Sequence, residues 1–250
     1  QSQVDKLLGV VGSSTSKGDI RNANLNAVFI EVRRHADVCY PSGLGEPYFQ
    51  WALTPANFNA LQAVINAAHD TTGGKKRIEV HCWMVAFNTG GNEVYAAHSS
   101  PTNPDNYWPT RNNSGAENEY KSFDPGHPKA ADYTVNVAMD LVNNFDIDGI
   151  HWDYIRFVDA NEGYNPTSVA RYNARFGTSG QPAYTNANFQ QWRRDQVTSI
   201  VRKTYARMLA VKPWVKHSAS VVTSIPSPTA STRAAFQTTP PYKTYYSDWD

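Results

Sequence analysis

Asp153 stands at the C-terminal end of a run, Ile147–Tyr154 (IDGIHWDY), that reads as a buried strand, with Tyr154 after it and His151 two positions before it. Side chains alternate along a strand, so the imidazole and the carboxylate share a face. Desolvating a carboxylate is expensive unless it has a partner or a task. In parallel α/β barrels the C-terminal ends of strands are where catalytic groups collect. Asp153 therefore reads as a reaction-centre carboxylate, suited to base or nucleophilic chemistry. Other polar groups share its parity. Glu31 and Arg33 lie on Asn26–Arg33, and Glu79, His81 and Trp83 on Arg77–Val85. The opposite parity holds Val28, Ile30 and Val32, then Ile78, Val80, Cys82 and Met84, then Ile150 and Trp152. A barrel strand needs this division, with one face against helices and the other toward the lumen. Glu31, Arg33, Glu79, His81, His151 and Asp153 are thus expected to converge in one lumen. Glu31 and Glu79 sit early on their strands and equally suit structural ion partners. Arg33 equally suits an internal salt bridge, and His81 a satisfied core histidine. A fourth run, Trp214–Thr223, is ambiguous, because Ser218 and Ser220 oppose His217 and Ala219.

The elements that position these groups alternate. Thr54-Pro55 marks a helix start, followed by Phe58, Leu61, Val64, Ile65 and Ala68 at helical spacing and stopped by Gly73-Gly74. Pro128 opens a second helix, with Tyr133, Val137, Leu141 and Phe145 four apart. Pro166 opens a shorter one, and a long helix runs from Asn188 to Pro213. Strands separated by helices predict a parallel α/β sheet. Long polar loops, 34–53, 86–123 and 155–187, follow the strand ends, as in a barrel that builds its site from such loops. No G-x-G-x-x-G follows the first strand and no Walker A motif occurs, which disfavours nucleotide folds. Gly9–Asp19 interrupts a helical start and reads as a flexible or surface loop.

Composition narrows the partners. The formal charge of the 250 residues is +1, with no basic cluster, so nothing favours nucleic acid. No stretch is long and apolar enough for membrane insertion. Cys39 and Cys82 could form one bridge, but two buried thiols are the simpler expectation. Aromatics are 12% of residues against 18% charged. Aromatic faces suit sugar rings but equally suit cores. Among those placed on strands or loops, Tyr40, Tyr48, Trp51, Trp83, Tyr107 and Trp108 are candidates to stack on a sugar. The polar start and uncapped end suggest that both termini are cuts within a longer protein.

The stretches NAVFIEVRRHADVCYPS (26–42), RIEVHCWMVAFN (77–88) and FDPGHPKAADYTVNVAMDLVNNFDIDGIHWDYIRF (123–157) resemble the glycosyl hydrolase-like family ten. This is a bacterial family whose relatives include a divisome-localised hydrolase of peptidoglycan strands stripped of stem peptides. The resemblance implies a (β/α)8 TIM-barrel fold. Residues 1–250 would be one partial catalytic domain carrying strands two to five of eight. The Gly12–Asp19 insertion departs from the family pattern. Asp148–Asp153 also resembles the strand-four motif of the α-amylase superfamily, whose final Asp is a nucleophile. There an Arg stands where this chain has His151, and the acid Glu that ends strand five has no counterpart in Ser218–Thr223.

By position, the resemblance implies that Arg33 and Asp37 line a sugar pocket, joined by His81, Trp83 and Asn88. Asp153 would be catalytic, with Tyr154 and His151 beside it. The partner would be a polysaccharide, most directly bacterial cell-wall glycan, and the location extracytoplasmic. No cofactor or metal is implied. Glycoside cleavage generally uses two carboxyl groups; Asp37, Glu46, Asp159 and Glu162 are loop candidates for the second. The Asp124–Pro128 turn reads as structural, its ends suited to capping a helix start. Two other readings remain open. A non-catalytic carbohydrate-binding barrel fits the absent strand-five Glu. A metal-dependent hydrolase would use His81, His151 and Asp153, although no H-E-x-x-H motif supports it.

Overall fold

A computed structural model describes residues 1–49, 55–222 and 230–249. The β-branched runs form four parallel strands: β1 (Ala27–Arg33), β2 (Glu79–Val85), β3 (Gly149–Asp153) and β4 (Lys216–Ala219), in the order β1-β2-β3-β4. Each strand pairs with its sequence neighbours, so the sheet winds in one direction without the strand-order reversal of a doubly wound fold. This is the barrel-type α/β arrangement that the alternation predicts, incomplete as four strands. The helices are α1 (Ser2–Leu8), α2 (Asp19–Asn22), α3 (Ala60–His69), α4 (Glu93–Ala97), α5 (Pro128–Asn144), α6 (Pro166–Phe176), α7 (Ala187–Val211), α8 (Arg233–Phe236) and α9 (Pro240–Lys243).

The apolar parity forms the core. Val32, Val80, Cys82, Met84, Ile150 and Trp152 are buried in one cluster with Leu61 and Ile65 of α3, Ala138 and Leu141 of α5, and Ile200 of α7. Pro128 and Pro166 stand at the first turns of α5 and α6 as expected. Thr54 lies outside the described residues, and α3 starts later, where the Asn59 side chain accepts from the Gln62 amide. Asn57, at φ +59°, separates Pro55 from that start. The helix stops at His69, because Asp70 turns extended and accepts from the Thr72 amide, before the glycine pair is reached. Gly9–Asp19 is a surface loop, but a tethered one. The Gly12 amide donates to Asp70, and the Arg21 guanidinium donates to the carbonyls of Ala67, Ala68 and Asp70.

Asp124 caps neither α5 nor α6, whose first turns are capped by the side chains of His127 and Asn165. The Asp124 carboxylate instead accepts from Ser168 Oγ and the Asn165 amide at the start of α6. Both cysteines are buried and free. Burial pushes the Cys39 thiol up to about 12.

His217 is expected to make stability depend on pH. It lies on the helix side of β4, where Trp152 Nε1 donates to its Nε2 at 2.7 Å and the Tyr205 ring of α7 stacks on it. Burial lowers its pKa, and it lowers those of His127 and His151 in the same direction. The unfolded chain then takes up protons that the folded chain refuses. Stability is fully present above the ordinary histidine pKa of about 6.5 and falls as pH drops from there toward the folded-state values. The urea midpoint should therefore decrease from pH 7 to pH 5, and His217→Gln should flatten the decrease. Burial raises Asp124 and Glu162 in the opposite sense, so the histidine contribution is read as the difference between variant and wild type.

Candidate active site

The lumenal face is built in layers. At its base Lys216 Nζ contacts both Glu79 oxygens at 2.7 Å, and Glu79 Oε2 meets His81 Nε2 at 3.0 Å. Lys216 and then His81 hold the Glu79 carboxyl below its ordinary range. Gly149 pairs with His81, and any Cβ there would stand 2.2 Å from His81 Nδ1, so the histidine needs glycine beside it. Phe29, 50% exposed on this face, stacks on His81 and meets His151 edge-on at 5.0 Å.

The next layer joins Glu31, Trp83, His151 and Ser218 across the sheet. Glu31 is occupied by Arg34. His151 is held between two hydroxyls of β4 and its extension, Nδ1 to Ser218 Oγ at 2.9 Å and Nε2 to Ser220 Oγ at 2.8 Å. Burial lowers its pKa; Asp153 opposes the shift and His81 adds to it. The sequence missed these serines as partners because His217, also polar, takes the opposite parity and blurs the pattern.

At the strand end the half-buried Asp153 carboxylate is oriented by two N–H donors: Trp83 Nε1 to Oδ2 at 3.0 Å and the Tyr154 amide to Oδ1 at 2.8 Å. Tyr154 adopts φ +50°. Left-handed backbone is unfavourable for a bulky residue and must be maintained by its surroundings. Here it accompanies the turn of the amide back onto the carboxylate. The Tyr154 ring lies 4.7 Å from the Arg156 guanidinium, which also covers Tyr245 at 4.6 Å. Asp153, Trp83, His151 and Tyr154 are thus brought together. An oriented, half-buried carboxylate can take a proton from water or attack an electrophilic carbon.

Arg33 does not join them. A bulge shifts the register so that Glu31 pairs with Trp83 but Arg33 with Met84, which gives Arg33 the helix-side parity. Its guanidinium is buried against Glu46 at 2.8 Å, and the Tyr133 hydroxyl of α5 donates to the same Glu46 oxygen at 2.6 Å. Arg33 is therefore an internal salt bridge, and Glu46 is its counter-ion. Asn88 is buried and accepts from Ser122 Oγ at 2.9 Å. Asp37 accepts from the His35 amide and lines a separate cavity of about 350 Å³ with Tyr48, Thr89 and Glu93, between the loops after β1 and β2. Glu162 is turned inward, bonded to Asn118 and the Val158 amide. Tyr40, Tyr107 and Trp108 are buried and pin their surroundings, with Trp108 stacked on His98 at 3.5 Å. Trp51 lies outside the described residues. Among the described residues no group of three or more His, Cys, Asp or Glu side chains is placed to hold a metal ion, and no helix is long and apolar enough to cross a membrane.

A one-directional parallel sheet with its polar groups at the strand ends defines the class: an α/β protein of TIM-barrel type, incomplete as four strands. The fold resembles the α-L-fucosidase isoenzyme 2 from Paenibacillus thiaminolyticus, with a TM-score of 0.59 and 18% identity, over 80% of this chain and 28% of that one. Residues 8–250 match the family described as glycosyl hydrolase-like 10, and the chain belongs to that family. Glycosyl hydrolase YngK of Bacillus subtilis (strain 168) is 26% identical over 211 residues, 81% of this chain and 38% of that protein. Glycosyl hydrolase DigH of Escherichia coli (strain K12) is 21% identical over 233 residues, 88% of this chain and 47% of that protein. The chain thus spans less than half the length of either relative.

Proposed function

We propose that this chain is the catalytic part of an extracytoplasmic glycoside hydrolase that cleaves a bacterial cell-wall polysaccharide, with Asp153 as nucleophile or base. One observation carries the reading. Asp153 stands at the strand end, and its carboxylate is oriented by Trp83 and a left-handed Tyr154 rather than neutralised by Lys or Arg. The other lumenal carboxylates, Glu31 and Glu79, are both ion-paired. Peptide-stripped peptidoglycan is the first substrate to try, because the quoted motifs resemble a family with a member that acts on it. His151 and Tyr154 are the substrate contacts proposed in the lumen, and His81, buried against Phe29 and held by Glu79, supports them from below. The Asp37 cavity is a second place for a sugar to rest, and the buried Asn88 supports its loop.

The test is reducing-end release by the full-length protein from peptide-stripped peptidoglycan, intact sacculi, chitin and cellulose oligosaccharides, with binding to each measured in parallel. Release from the first is expected. Binding without release from any of them would favour the alternative of a non-catalytic carbohydrate-binding barrel, which the same lumenal surface would serve.

A further inference from the structure

We infer that His151, acting through Ser220, is the proton source for the departing glycosidic oxygen, so that a histidine–serine pair takes the part of the second carboxyl group. The inference rests on the glycosidase reading above and deepens it. Four observations place the pair. First, Ser220 is level with Asp153: its amide donates to the Trp152 carbonyl at 2.8 Å, continuing the register in which Trp152 faces Ala219. Neighbouring strands lie about 4.8 Å apart, so Asp153 and Ser220 are adjacent side chains at the mouth of the lumen.

Second, Ser220 Oγ is bonded to His151 Nε2, and His151 Nδ1 to Ser218 Oγ. A hydroxyl both donates and accepts. The imidazolium donates to both serines, and the neutral ring donates to one and accepts from the other. The ring therefore changes protonation state without moving. Third, among the described residues the other ionisable groups of this face are engaged with one another: Glu31 of β1 with Arg34, and Glu79 and His81 of β2 with Lys216 of β4. From β1 the Phe29 ring meets the imidazole edge-on. Fourth, burial lowers the His151 pKa, with Asp153 on the same strand opposing that shift and His81 adding to it. The active form of the pair is accordingly populated at mildly acidic pH.

The step balances. The bond from the anomeric carbon to the leaving oxygen breaks. That oxygen takes the Ser220 hydroxyl proton as Ser220 Oγ takes the proton of His151 Nε2. Water adds to the anomeric carbon and gives one proton to Asp153. Asp153 then releases that proton to solvent and His151 takes one from solvent, so one water is consumed and both groups are reset.

The experiment compares wild type, His151→Gln and Ser220→Ala on peptide-stripped peptidoglycan and on the 4-nitrophenyl glycoside of an oligosaccharide that the wild type releases. Nitrophenolate leaves without a proton, whereas a sugar hydroxyl does not. Each variant should lose about 10²-fold or more in kcat on the glycan, within the usual range for one acid group, and less than about 10-fold on the nitrophenyl substrate. His151→Gln should also abolish the fall in rate as pH rises through the histidine range. Equal losses on both substrates, or a retained alkaline limb in His151→Gln, would overturn the assignment. Ser220→Ala, an exposed truncation, keeps the test open if His151→Gln folds poorly. A folded wild type that releases nothing from any polysaccharide overturns the glycosidase reading itself, which separates the two failures.

Discussion

Asp153→Asn is expected to lower kcat for glycan cleavage by about 10²–10⁴-fold, the range spanned by single proton-transfer groups, while changing sugar affinity by only a few-fold. The reason is local. Asparagine keeps the shape of aspartate and one carbonyl oxygen, so it still accepts from either Trp83 Nε1 or the Tyr154 amide. Its amide nitrogen neither takes a proton from water nor attacks the anomeric carbon. The loss therefore falls on the transition state rather than on ground-state binding, and should appear in kcat with KM nearly unchanged. Steady-state kinetics on released reducing ends, with calorimetric binding of the same oligosaccharide, separates the two. An equal rise in KM and fall in affinity would make Asp153 a sugar contact instead.

Arg33→Met should be the most destabilising change at any of the polar positions that the sequence marks for the site, by about 3–5 kcal/mol, as for other buried pairs that lose one partner. Arg33 and Glu46 have side chains 2% and 0% exposed. Removing the guanidinium leaves the buried Glu46 side chain without its counter-ion, with Tyr133 as a remaining side-chain donor. Opposite charge and hydrogen bonding from Glu46, working against burial, hold Arg33 above its ordinary pKa, so it stays charged at every working pH. The double variant Arg33→Met/Glu46→Leu should recover most of the loss, because two apolar side chains avoid the desolvation that the ion pair incurs. Urea unfolding of wild type, both single variants and the double variant measures the coupling. A single variant within about 0.5 kcal/mol of wild type, the range of ordinary surface substitutions, would contradict a buried, structural Arg33.

The barrel-type sheet was legible because parallel strands buried against helices carry an unambiguous period of two. That period put Val80, Cys82, Met84, Ile150 and Trp152 on the helix side and His81, Trp83, His151 and Asp153 on the other. It failed at Arg33. The bulge there is marked by neither glycine nor proline, and the charge that crosses to the helix side is matched by Glu46, thirteen residues on and in a loop. It was silent on β4, where His217 is polar yet satisfied by Trp152 on the helix side. The loop aromatics misled for a related reason. Tyr107 and Trp108 follow a long polar segment and read as exposed platforms, but Glu117, Asp105 and His98 supply the partners that bury them. Specific side-chain pairing decided each of these cases, across three residues for Trp108 and Asp105 and across 65 for Trp152 and His217, and the alternation of polar and apolar residues carries no record of it.

The most direct test of the site is the position of a bound oligosaccharide in crystals of the Asp153→Asn protein, in which substrate should accumulate uncleaved. A glycosidic bond lying against residue 153 at the mouth of the lumen, with Ser220 within hydrogen-bond reach of its oxygen, is the predicted result. Sugar bound only in the cavity lined by Asp37 and Tyr48, with the lumen empty, would contradict a catalytic centre at Asp153.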